Sequence, residues 1–371
     1  MDVHFNSFKV TYEILNKFMK PITESQYIKS LNIFINLDDF FHKLHQPTIN
    51  NEFHLAGEDA PKQFISNIFN LIAHYRWWGV SNVKCSNVKI YAFYTASSKN
   101  FKNSIYIPDY RNHFIEINAN SNASNYFVNH SIKSSYELIK VISNYIPNIY
   151  CIDTKYLEPS ILPLYIQNEI NPADWNILIS RDTYDLQYAY RDKWFVIPPK
   201  GENTYLVNQT GLWNYINTKE RINRMDDLHY PYQLYLLSKA VVGDKYRSIP
   251  KLRRIGWKTL FKFLDQLMEK FPNSSESTLT NELIDILKGK QVLDSQMRNN
   301  LYTTNIELQL ETMISVDRAM IDSQIIDIRD YENLKTLNLK YNQFAKYPLN
   351  LKFLCDEFVS FNKNNKTPFD V

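Results

Sequence analysis

The chain has 371 residues, of which 44% are hydrophobic and 15% aromatic, enough for one large domain or two modest ones and too apolar for a disordered chain. Its 42 Lys and Arg stand against 39 Asp and Glu, a formal net charge of +3, so an anionic partner must be met by local clusters rather than by the whole surface. No apolar run approaches the ~18 residues of a membrane span, and the opening segment MDVHFNSFKV lacks a signal-peptide profile, so the expected compartment is the cytoplasm.

The first 30 residues read as a polar-aromatic extension, with a helix around Thr11 to Met19. Ile33 to Ile35 follows as a short buried strand and Lys89 to Tyr94 as another, with an amphipathic helix from Gln63 to Trp78 between them. Asn118 to Asn129 is Asn- and Ser-rich and reads as a loop, before a helix over Ser134 to Tyr145 and a third strand at Ile149 to Ile152. A helix is expected from Pro159 to Glu169 and a fourth strand at Trp175 to Ile179. From Tyr232 onward the pattern is helical, with further candidates at Ser277 to Leu287 and Leu334 to Phe361. Strands alternating with helices imply a mostly parallel sheet with its ligand site at the C-terminal ends of the strands. Asn36, Asp38, Asp39, Asp153 and Asp182 each closely follow a strand and are the first candidates for that site.

Glycine is scarce, whereas Asn, Lys, Ile and Tyr are abundant. A/T-rich codons produce that bias, which is compatible with a phage or virus. Cys85, Cys151 and Cys355 are far apart and show no paired metal spacing, so reduced intracellular thiols are expected.

Four segments, in order, carry a family likeness: Ile33 to Lys43 (IFINLDDFFHK), Phe93 to Arg111 with Phe101-Lys102 and Tyr106 to Arg111, Ile179 to Gln187 (ISRDTYDLQ), and Val242 to Thr259. Together they resemble the structure-specific 5' nucleases, the flap endonucleases and phage-type 5'-3' exonucleases. The likeness spans about Asn32 to Leu267 and implies a PIN-like α/β fold, a mostly parallel sheet flanked by helices, followed by a helix-three-turn-helix element and a helical C-terminal region. The implied boundaries are an extension at 1–30, a core at 31–235 with an arch near 97–148, the helix-three-turn-helix at 236–290 and a C-terminal extension at 291–371.

The resemblance implies two-metal phosphodiester hydrolysis, which needs a dense ring of carboxylates around ions about 4 Å apart. Asn36 takes the place of the first family aspartate, and the glutamate-alanine-aspartate-aspartate signature falls near Leu157 to Ser160, where only Glu158 is acidic. Asp182 matches the next motif, but its second aspartate is Tyr184; Asp244 is kept, but the aspartate three residues later is Arg247. Asp182, Asp244 and Glu158 would then hold at most one Mg or Mn ion weakly, with Arg247 putting a fixed positive charge in metal space. The expected protein is therefore a catalytically inactive, DNA-binding accessory factor. One alternative is an active Mg-dependent nuclease rebuilt from Asp38, Asp39, Asp153, Glu158 and Asp185; another is a virion or assembly protein using the fold for protein contacts. Asp38 and Asp39 also suit a helix cap before Phe40 to Leu44, and the three-residue spacing of His42 and His45 suits a solvated helix face.

For DNA, Ile255 to Thr259 resembles the backbone-gripping helix start of the family, where carbonyls often hold a potassium ion. Gly256 permits close approach of a phosphate, Lys258 adds charge beside Thr259, and Lys251, Arg253 and Arg254 stand where the family has a glycine-rich turn. Lys102, Arg111 and Lys133 are the arch-side candidates; Trp77 and Trp78 suit a core better than a base stack.

Overall fold

The computed structural model describes residues 28–37, 87–94, 148–153, 159–169, 174–180, 182–198, 207–222, 230–244, 249–292 and 294–311, with single positions at 68, 71, 72, 74–76, 79, 85 and 247. The segments expected at 11–19, 118–129, 134–145 and 334–361 lie outside these residues, as do Asp38, Asp39, His42, His45, Trp77, Trp78, Lys102, Arg111, Lys133 and Glu158.

Strand β1 (Ser30–Asn36) is buried from its second residue to its last, the signature of a strand covered on both faces. It lies at the centre of a five-stranded sheet in the order β3-β2-β1-β4-β5, with β2 at Asn87–Tyr94, β3 at Ile149–Asp153, β4 at Trp175–Ile179 and β5 at Trp194–Ile197. Every pairing is parallel. The register sets Asn36 beside Phe93, Ile35 beside Ile179 and Tyr94 beside Asp153, so four strands end along one edge. The four strands read from the sequence are present, two of them longer than expected at their N-terminal ends. Strand β5 was not among them: its run Trp-Phe-Val-Ile is only four residues long, too short for periodicity to separate a strand from a turn of helix.

Tyr150, Tyr91, Phe34 and Trp194 stack in succession with ring centroids 4.9, 5.1 and 5.4 Å apart, and Tyr188 covers Trp194 at 4.5 Å. Buried Ile68, Leu71, Ile72 and Tyr75 are helical at the i, i+3, i+4, i+7 spacing of one face. The segment after Pro159 begins as a 3-10 turn, Pro159–Ile161, and continues as α1 (Leu162–Glu169). After β4 comes a second 3-10 helix, Thr183–Tyr190. The remaining helices are α2 (Leu212–Lys219), α3 (Tyr232–Val242), α4 (Trp257–Lys270), α5 (Glu276–Gly289) and α6 (Asp294–Thr304). One hydrophobic cluster runs from Phe34 and Tyr91 in the sheet through α3, α4 and α5 to Met297, Ile306 and Leu310.

Candidate functional site

Ser180 and Asp182 carry the chain off the end of β4 into the 3-10 helix. Asp182 caps that helix, its Oδ1 accepting from the Tyr184 amide at 2.9 Å. Its Oδ2 accepts from Arg247, from Nε at 2.9 Å and from Nη2 at 2.5 Å. The same Nη2 donates to Ser160 Oγ at 2.6 Å, and the guanidinium lies over the Tyr184 ring with Cζ 3.8 Å from its centroid. Arg247 is fully buried.

Asp244 is positioned by a tight loop at the end of α3. Gly243 closes that helix with φ +71°, a left-handed conformation suited to glycine; a Cβ there would stand 2.5 Å from the Ile249 carbonyl oxygen. Asp244 and Ile249 exchange backbone hydrogen bonds of 3.0 and 2.9 Å, so the loop doubles back. Within it the Arg247 amide donates to Asp244 Oδ1 at 3.2 Å. Asp244 Oδ2 accepts from Lys239 Nζ at 2.9 Å and from the Thr183 hydroxyl at 3.1 Å, and Lys239 Nζ also donates to Thr183 Oγ1 at 2.7 Å. Burial alone would raise the Asp244 pKa, but the Lys239 charge and hydrogen bond, followed by Arg247 and Thr183, outweigh it and hold the carboxyl well below the usual carboxylate range.

The fold thus gathers Asp182, Asp244, Tyr184 and Arg247 from two distant motifs. Asn36 is buried at the end of β1, and Asp185 is fully buried within the 3-10 helix. Asp153 ends β3, while Glu158 is outside the described residues. Lys239 was not singled out in the sequence, because no spacing rule links a lysine on the last turn of a helix to a carboxylate beyond the helix end. Ser160 and Thr183 stood inside motifs without an assigned role, since a hydroxyl partner is decided by tertiary contact.

A divalent ion fits this donor set poorly. Both carboxylates already hold a cation, with side-chain exposures of only 12% for Asp182 and 3% for Asp244. An added ion would meet the guanidinium and ammonium at contact distance, and like charges so close repel strongly in a buried setting. Among the described residues no group of three or more His, Cys, Asp or Glu is placed to hold a metal.

On the helical side, Lys251, Arg253, Arg254, Lys258 and Thr259 are exposed. Gly256 stands at the N-cap of α4 without a side-chain cap, and a Cβ on it would meet Lys251 Nζ at 3.1 Å. Arg253 and Arg254 both adopt left-handed backbone, φ 46° and 58°, and Arg253 Nε donates to the Gln291 carbonyl at 2.9 Å.

The described residues form a five-stranded parallel sheet flanked by helices, with Asp153 at the end of β3 and Asp182 just past the end of β4. No family model and no curated protein sequence matches the chain. Solved structures do: the bacteriophage T5 D15 protein co-crystallised with metal ions matches with TM-score 0.52 and 15% identity over 81% of this chain and 99% of that one. The bacteriophage T5 D15 flap endonuclease, as a pseudo-enzyme–product complex with DNA and metal ions, matches with TM-score 0.53 and 14% identity over 81% and 98%. T5 5'-exonuclease with bound zinc gives 0.53, 14%, 81% and 99%. At such identity the likeness establishes the fold. Among the described residues no helix is long and apolar enough to cross a membrane.

Proposed function

We propose that this chain is a nuclease-like DNA-binding protein that holds duplex or branched DNA by its backbone and does not cut it. The observation that carries this reading is the Arg247 guanidinium, fully buried and bound to Asp182 where a two-metal nuclease needs uncommitted carboxylates. Lys239 engages Asp244 in the same way. An enzyme of this class depends on metal to stabilise charge on the transferring phosphate, and here the carboxylates that would hold it are already neutralised.

The DNA-binding half of the proposal rests on the start of α4. Helix-start amides and the positive end of the macrodipole favour an anion. Lys251 Nζ stands beside the same helix start, an arrangement unfavourable for a cation alone and favourable once a phosphate lies between. Exposed Lys258 and Arg254 extend the positive edge. The T5 complex with DNA supports the same use of this fold. An accessory role in a phage or virus is the biological setting this reading suits.

Incubation with a labelled 5'-flap substrate, in magnesium or manganese and then in chelator, tests both halves. Expected are salt-sensitive retention and no cleavage. Lys258→Ala should weaken retention on every sequence alike and reduce the salt slope by about 1, because phosphate contacts carry no base information. Metal-dependent cleavage abolished by Asp182→Ala would instead identify an active nuclease. Neither cleavage nor retention would point to a protein-assembly role.

A further inference from the structure

We propose that Arg247 and Lys239 are built-in counter-ions that take the electrostatic place of divalent metal at the sheet edge, so that the fold is metal-independent and the two carboxylates gain divalent-cation affinity only when both side chains are removed. This rests on the non-cleaving reading above and adds to it a role for two particular residues.

A carboxylate as buried as Asp244, or as little exposed as Asp182, is costly unless it is neutralised and hydrogen-bonded. Here each of the two has a cation, Arg247 for Asp182 and Lys239 for Asp244. The two pairs form one network. Thr183 Oγ1 bridges Lys239 and Asp244, Asp182 caps the turn that carries Thr183, and Arg247 bonds Asp182 through its side chain and Asp244 through its backbone amide. The guanidinium is further fixed by Ser160 and the Tyr184 ring. A surface ion pair would show neither this closure nor this burial. The oxygens of Asp182, Asp244, Thr183 and Ser160 that now face the two cations are hard donors, the type that Mg and Mn prefer.

The experiment compares the unaltered chain, Arg247→Lys and the double variant Arg247→Met with Lys239→Met, by manganese electron paramagnetic resonance and by thermal unfolding in chelator and in millimolar manganese. The unaltered chain and Arg247→Lys, which keeps the charge, are expected to show no saturable manganese binding and Tm shifts below ~1 °C. The double variant should bind manganese saturably and gain ~3 °C or more. Should the double variant be unfolded in chelator, manganese is expected to restore its near-ultraviolet circular dichroism, and no restoration overturns the proposal. Saturable binding by the unaltered chain overturns it too, as does a folded double variant that ignores manganese. A silent double variant leaves the non-cleaving reading intact, whereas metal-dependent cleavage by the unaltered chain removes that reading itself.

Discussion

Asp182 combines two tasks: one oxygen caps a helix and the other meets a buried cation. A carboxylate has lone pairs enough for both, so a turn aspartate and a site aspartate are here the same residue. Arg254 poses the opposite trade. Its left-handed backbone (φ 58°) costs about 1 kcal/mol relative to glycine, yet it adds an exposed charge beside the start of α4. Arg254→Gly is expected to raise stability by ~0.5–1 kcal/mol while weakening DNA retention and flattening its salt dependence. Denaturant unfolding and filter binding on the same sample read both effects, and a variant that loses stability without losing affinity would contradict this account.

At the scale of elements, the 3-10 helix Thr183–Tyr190 is the hub. Tyr188 donates from its hydroxyl to the Ser160 carbonyl at 2.7 Å and accepts from the Leu164 amide at 3.0 Å, which fixes the segment carrying Ser160 and the start of α1. Gln187 clamps the break after α6, donating to the Thr304 carbonyl and accepting from the Ile306 amide, each at 3.0 Å. Helix α6 in turn holds the site loop, because Asn300 Nδ2 donates to the Ala240 carbonyl at 2.7 Å and to the Pro250 carbonyl at 2.8 Å. Those carbonyls flank the Gly243 to Ile249 loop that positions Asp244 and Arg247. Asn300→Ala should cost ~1–3 kcal/mol, since it strips partners from two carbonyls, measured as a lower urea midpoint at unchanged m. A loss under ~0.5 kcal/mol, within the range of an ordinary surface substitution, would mean that α6 does not brace the loop.

For the whole molecule, the continuous cluster from Phe34 to Leu310 joins sheet and helices in one core. Trp194 belongs to β5, Trp213 to α2 and Trp257 to α4, so tertiary probes sample both ends of that core. Near- and far-ultraviolet circular dichroism are expected to report coincident thermal transitions. Two separated transitions would show that the helical part melts apart from the sheet.

Much of the fold was legible because parallel strands buried on both faces must be apolar runs: β1, β2, β3 and β4 follow directly from that rule, and helix α5 from its apolar spacing. Strand β5 and the eight-residue α2 were too short for periodicity to tell helix from strand, and the long 3-10 helix departs from the 3.6-residue period. In the site, the replacement of expected carboxylates by Asn36, Tyr184 and Arg247 was visible in the chain. The sequence by itself determined which charges exist and that carboxylates are missing from the motifs. Only the tertiary structure decided that Lys239 meets Asp244 and that Arg247 turns inward onto Asp182, Ser160 and Tyr184. Those pairings join residues from separate elements, and a buried charge takes its partner from whatever the fold brings within reach.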